Sequence, residues 1–199
     1  GLGDVYKRQE VSDMLLIQKR LEELNFKKDP KIWIMAETPK CILNLGKILE
    51  EFSNISGIVV GTNDLAKELG LPKQEARVGL SYALGSILLS AKAYNVTTLD
   101  GVFNNIIDQE GLLAEAREGK NMGYDGKTLI HPNQIGITNA VFSPTEKEID
   151  LADKIIEAYE KAKEEKSGVT TLDGVLVEEL HVKQSLALIS KMKMIQSMS

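Results

Sequence analysis

Cysteine is almost absent from this chain. One thiol, Cys41, among 199 residues excludes an intrachain disulfide and suits a reducing, cytoplasmic setting. Nor is charge of one sign in large excess. Lys and Arg number 24 against 29 Asp and Glu, a net charge of -5. With no basic cluster and only 5% aromatic residues, nucleic acid is not expected as the main partner. No apolar run approaches membrane-spanning length and no basic-then-apolar leader is visible, so no membrane partner is expected. The hydrophobic fraction, 43%, is enough for one good-sized core.

The stretch Ile55 to Gly70, ISGIVVGTNDLAKELG, is the most informative. Ile58-Val59-Val60 is β-branched and too short for a helix, so it reads as a strand. Gly61 breaks it, Thr62-Asn63-Asp64 form a polar turn, and a helical run begins at Leu65. That is a strand-to-helix joint of a βα unit, where chemistry collects in parallel sheets and barrels. Taken alone, Asp64 or Asn63 is more often a helix cap than a site residue.

The rest of the chain repeats the unit. Apolar spacing predicts a helix over Glu10 to Leu24 and a strand over Lys31 to Ala36. Thr38 followed by Pro39 marks a helix start, with Ile42, Leu45, Ile48, Leu49 and Phe52 as its buried stripe. A loop at Leu71 to Ala76 leads to a helix over about Gly79 to Asn95, apolar nearly all round and expected to be well covered. Val96 to Val102 reads as a strand, Ile106 to Glu118 as a helix and Lys127 to Ile130 as a fourth strand ending at His131-Pro132. Thr145 to Lys166 reads as a charged amphipathic helix, Val169 to Val177 as extended, and His181 to Gln196 as a final helix.

An order βαβαβαβα implies an α/β fold with a parallel sheet and right-handed crossovers. Four units make half of an eight-stranded barrel or one small open sheet. Residues such as Ile34 and Val60 are expected on the strands' inward faces, without the side chains of a complete barrel to cover them. Residues 1–9 have no clear period and are expected to be a non-native end.

Glu37 and Asp64 end consecutive strands. Neighbouring parallel strands lie about 4.8 Å apart, which would set both carboxylates on one rim. Mg²⁺, often held by one or two carboxylates plus water and substrate oxygens, fits such a pair. A general acid/base pair and two helix caps are the alternatives. Cys41, in the first turn of a helix without a neighbouring His in sequence, reads as a small buried apolar residue.

Three runs then agree in order and spacing with one family: IWIMAETPKCILNLGKI, GTNDLAKELG and LDGVFNNIIDQEGLLAEAREGKNMGYDGKTLIHPNQI. The chain resembles the citrate lyase beta-subunit family of CoA-ester lyases, including malyl-CoA and citramalyl-CoA lyases, in the HpcH/HpaI aldolase superfamily. The resemblance covers nearly everything from about Leu15 onward. It implies a (β/α)₈ TIM barrel, here only the C-terminal half over 10–142. Residues 143–199 would be a helical extension that packs on or reaches into a neighbouring subunit of a homotrimer or homohexamer.

The same resemblance assigns Mg²⁺ to Glu37 of the ETP motif and Asp64 of the GTNDL motif. It implies a carbon–carbon lyase acting on an acyl-CoA substrate of 3-hydroxyacyl type by retro-aldol or Claisen chemistry. The alternatives are a citrate lyase beta subunit acting on an acyl-carrier-protein thioester, and a barrel homologue without catalysis. The family's enolate-stabilising Arg lies on an early strand that has no counterpart here. Arg77, expected in a loop before a helix, does not replace it.

The family's acid/base Asp falls in a C-terminal segment, where this chain has Glu178. Asp100, Gly101 and Val102, at the next strand end, are expected to touch the acyl-CoA, since the glycine allows close backbone approach. His131 is expected to fix a loop, and Tyr124 to Lys127 to serve folding at the opposite end of the sheet.

Overall fold

A computed structural model describes residues 11–24, 30–72, 76–164 and 170–198; residues 1–9 lie outside that range. It divides into two compact units, Gly1–Phe142 and Ser143–Ser199. No helix among the described residues is long and apolar enough to cross a membrane.

The first unit is built on a four-stranded sheet of β1 (Ile32–Ala36), β2 (Ile55–Val60), β3 (Thr97–Asp100) and β4 (Gly126–Lys127). Spatial order equals chain order and every pairing is parallel, because each crossover carries a helix. Helix α1 (Val11–Glu23) precedes the sheet, α2 (Pro39–Glu51) joins β1 to β2, and α3 (Thr62–Glu68) with α4 (Ala76–Ala93) joins β2 to β3. Helix α5 (Gln109–Met122) leads to β4.

Helix α2 starts where its sequence says it should. The Thr38 hydroxyl accepts from the Cys41 N–H at 3.1 Å, Pro39 takes the first position, and Ile42, Leu45, Ile48, Leu49 and Phe52 are all buried. They share one core with Ile34, Ala36, Ile58 and Val60 from the sheet and Leu80, Leu84 and Ile87 from α4. This corrects the expected facing of two strands. Ile34 and Val60 lie in that core, whereas the opposite face of β1 carries Trp33, 49% exposed, and Met35, 39% exposed. The Trp33 ring covers Gly57, where any side chain would collide with it. Strand side chains alternate between faces, but both faces of IWIMA are apolar, so the run itself does not tell them apart.

Helix α4 is also less covered than expected. Leu80, Ala83, Leu84, Ile87 and Ala91 form its buried stripe, while Val78, Tyr82 and Leu89 are exposed. Helix α5 begins at Gln109 rather than Ile106, because the Asp108 side chain caps it, accepting from the Gly111 N–H at 2.8 Å. Strand β4 stops after two residues. There Thr128 folds its N–H and hydroxyl onto the Asp100 carbonyl, each at 3.0 Å, and the Gln134 side chain takes the Ile130 N–H at 3.1 Å. A 3₁₀ turn (Pro132–Gln134) and helix α6 (Ile135–Phe142) follow, neither of them expected.

The second unit holds α7 (Glu146–Glu164), a hairpin of β5 (Thr170–Leu172) and β6 (Val175–Val177), and α8 (Glu179–Met198). Thr145 and Glu148 form a reciprocal cap at the start of α7: the Thr145 N–H donates to Glu148 Oε2 at 2.7 Å, and the Glu148 N–H to Thr145 Oγ1 at 3.2 Å. The stretch expected to be simply extended turns back at Asp173-Gly174, both at positive φ (50° and 79°), as a two-residue hairpin turn requires. Helix α8 buries Ser185 and leaves Leu180, Leu186 and Met194 exposed.

Candidate functional site

The carboxyl ends of β1 and β2 are direct neighbours, with Ala36 opposite Val60. Glu37 therefore follows β1 at the level where Gly61 follows β2. The Gly61 N–H donates to the Ala36 carbonyl at 2.9 Å, holding the two ends together. The Glu37 side chain is buried and lies across Gly61. A Cβ at Gly61 would collide with the Glu37 Cβ and stand 3.0 Å from Oε2. Glycine here keeps open the space that the carboxylate occupies.

Gly61 is also the N-cap of α3, with no side-chain capping bond. Asp64 is thus not the cap, and it sits half-buried in the helix's first turn, at the positive end of the helix dipole. Asn63 is not the cap either, since its amide exchanges hydrogen bonds with the Asn104 amide at 3.0 and 2.6 Å. Glu37 thus follows β1 directly, whereas Asp64, expected to end its strand, lies in the first turn of the helix after the neighbouring strand β2.

Mg²⁺ suits this pair. The donors are hard carboxylate oxygens, the type that Mg²⁺ prefers. A cation held by two carboxylates and completed by water and substrate oxygens is the Mg²⁺ habit.

At the next strand end Asp100 is fully buried and engaged. Arg77 grips it with both terminal nitrogens, at 3.2 and 3.1 Å, and Lys127 reaches it at 3.1 Å from the facing position on β4. Arg77 also bonds Glu118 at 2.8 Å, and Lys127 bonds Glu115 at 2.6 Å. Burial works against the Arg77 charge, but Asp100, Glu118 and Glu115 outweigh it and raise its pKa above the ordinary value. Asp100 therefore meets protein cations, not open solvent. Arg77, expected in a loop, lies in the first turn of α4.

Val102 lines a cavity of 290 Å³ between α3, α4 and the segment after β3, together with Asn63, Arg77, Phe103, Asn104 and Glu115. The Gly101 backbone lies against Thr62, whose Oγ1 would be 2.6 Å from a Cβ at Gly101. Cys41 is fully buried, and burial, followed by the charges of Glu37 and Asp13, raises its pKa to about 11. That is a protonated, unreactive thiol.

His131 caps the 3₁₀ turn, accepting from the Asn133 N–H at 3.3 Å. The Tyr124 hydroxyl donates to the Leu84 carbonyl at 2.9 Å, and Asp125 receives the Thr98 N–H at 2.8 Å. Glu178, in the second unit, is exposed and directly precedes α8, its N–H donating to His181 Nδ1 at 3.0 Å.

The Arg77–Asp100–Lys127 cluster was outside the sequence reading, and Lys127, expected at the opposite end of the sheet, faces Asp100 at the same strand ends. The accessible signal was an acid and a lysine at the matching ends of consecutive strands.

Residues 5–132 match the HpcH/HpaI aldolase/citrate lyase family. A (3S)-malyl-CoA thioesterase of Cereibacter sphaeroides is 48% identical over 162 residues, 80% of this chain and 56% of that protein. Citrate lyase subunit beta of Escherichia coli is 31% identical over 177 residues, 86% of this chain and 59% of the relative. Among solved structures, a citrate lyase from Burkholderia xenovorans superposes with TM-score 0.78 at 19% identity, over 96% of this chain and 62% of that one. The citrate lyase beta subunit of Mycobacterium tuberculosis, complexed with oxaloacetate and magnesium, gives TM-score 0.57 at 26% identity, over 69% and 59%. The chain spans little more than half the length of the curated relatives it matches.

Proposed function

The chain belongs to the HpcH/HpaI aldolase/citrate lyase family, and from that premise we propose that its protein is a Mg²⁺-dependent enzyme of malyl- or citramalyl-type CoA thioesters. The reaction is cleavage of the carbon–carbon bond that retro-aldol or Claisen chemistry breaks. The observation that carries this reading is Glu37 laid over Gly61, on the strand end beside the one that leads into Asp64. When bound, Mg²⁺ would supply Lewis acidity toward the hydroxyl and carboxylate oxygens of the substrate.

The chain's own groups take the remaining tasks. Glu37 and Asp64 hold the cation against the rim. Gly101 and Val102, beside the cavity, meet the thioester arm, whereas Asp100 contributes by fixing that wall through Arg77 and Lys127. Glu178 takes the hydroxyl proton as general base; its exposure at the start of α8 leaves it open to a neighbouring subunit's site. The exposed Leu180, Leu186 and Met194 on α8 support a homo-oligomer, a trimer or hexamer. In the whole protein the four parallel strands form half of a (β/α)₈ barrel, and the lone, reduced Cys41 supports a cytoplasmic setting.

A second reaction has its own support, because the relatives at 46–48% identity carry the name (3S)-malyl-CoA thioesterase. On that reading the same site takes the same class of substrate, and water cleaves the thioester. Product analysis on the full-length protein with malyl-CoA separates the two. Glyoxylate with acetyl-CoA marks the lyase; malate with free CoA marks the thioesterase. Turnover undiminished by a chelator contradicts both.

A further inference from the structure

Two fully buried charges are spent on one glycine. Asp100 Oδ1 accepts the Gly101 N–H at 2.8 Å, and Lys127 Nζ donates to the Gly101 carbonyl at 2.6 Å. Both backbone polar groups of Gly101 are thereby fixed by side chains that are themselves fully buried. Burying ions is costly unless they are paired and their remaining hydrogen bonds are met, and Gly101 meets one for each of these. What Gly101 meets is Thr62, the first residue of α3. A methyl there would collide with Thr62 Cγ2 and stand 2.6 Å from Oγ1. Thr62 Oγ1 is buried without a hydrogen-bond partner, so the residue is seated there by packing. Two residues beyond Thr62 comes Asp64. The exchange between Asn63 and Asn104 ties the same turn to the same segment a second time.

We propose that Gly101, held by Asp100 and Lys127, is a positioning residue for the metal site. It is the seat against which the turn carrying Asp64 is set opposite Glu37. The inference rests on the reading of Glu37 and Asp64 as Mg²⁺ ligands. It gives the buried pair of Asp100 and Lys127 a role in that site without contact with the metal. Lys127 and Asp100 set Gly101, Gly101 sets Thr62, and Thr62 sets the first turn of α3.

The test is calorimetric titration of Mg²⁺ into the full-length protein and its variants, with thermal unfolding followed in parallel. Gly101→Ala is expected to weaken Mg²⁺ binding by about tenfold or more. Thr62→Ala removes both Cγ2 and Oγ1, so Gly101→Ala combined with Thr62→Ala is expected to return affinity to within about threefold of the Thr62→Ala single variant. A general loss of stability would not be relieved in affinity by that pairing. Gly101→Ala with unchanged affinity overturns the proposal, as does weakened affinity that the pairing fails to restore. If Gly101→Ala does not fold, Asn104→Ala decides, since it adds no volume: weaker binding supports the coupling and unchanged binding overturns it. Asp64→Asn and Glu37→Gln separate the two levels. If neither alters Mg²⁺ binding, the metal reading falls and this inference with it; if both do and Gly101→Ala does not, this inference alone falls.

Discussion

Gly61 and Glu37 compete for the same space. A methyl at Gly61 has no way to avoid the Glu37 Cβ, so Gly61→Ala must shift the acid or the strand end. Overpacking of that kind costs about 1–3 kcal/mol, and here the shift falls on a proposed ligand. Denaturant unfolding and Mg²⁺ titration of the variant should both show the loss. Lys127→Met would remove one of two cations from a fully buried carboxylate, Arg77 still pairing it, and is expected to destabilise the protein by about 1–3 kcal/mol, read as a lower urea midpoint. Cys41 is expected to resist alkylation at pH 8 until the protein is unfolded, because its native pKa of about 11 leaves almost no thiolate. Rapid labelling of the folded protein would contradict that burial. At this scale the position of Glu37 directly after β1 was legible because an acid closing a strand is a local pattern, whereas Asp64 falls in the first turn of α3. Arg77, Asp100 and Lys127 were not legible, since residues this far apart in sequence meet only once α4 and β4 have docked.

The legible elements were those whose ends carry their own chemistry. Thr38-Pro39 announced α2, and the apolar spacing after it named the buried stripe correctly. Thr145 with Glu148 is an equally local signal, and Thr145→Ala should cost the second unit about 0.5–2 kcal/mol, measurable by thermal unfolding. Other boundaries depended on distant partners. Strand β4 ends early because the Asp100 carbonyl and the Gln134 side chain take its next groups, and no run of four residues reveals that. Asp173-Gly174 is a standard hairpin signal, and the turn it makes separates β5 from β6. The facing of β1 was illegible for a physical reason: Ile34 and Trp33 are both apolar, and only the helices decide which is covered.

For the molecule as a whole, the first unit's sheet has β1 and β4 as edges and bares Trp33 and Met35 on the face away from the helices. Unpaired edges and open apolar faces favour association. Expressed as these 199 residues alone, the protein is expected to self-associate, melt with low cooperativity and show no turnover. Light scattering after size exclusion, paired with calorimetric unfolding, tests this; a soluble monomer with a sharp transition would contradict it. The α/β class and parallel order were legible from the alternation of short β-branched runs with helical spacings. The division at Phe142 sets off the second unit, Ser143–Ser199.

The proposed function requires that Glu37 and Asp64 hold a catalytic Mg²⁺ between them. Its most direct test is Mg²⁺ titration calorimetry of the full-length protein beside Glu37→Gln and Asp64→Asn. Each substitution keeps size and removes only a ligand charge, so one site per subunit in the parent should weaken by at least about 100-fold in either variant. A parent-like Mg²⁺ isotherm in a folded variant would contradict the claim.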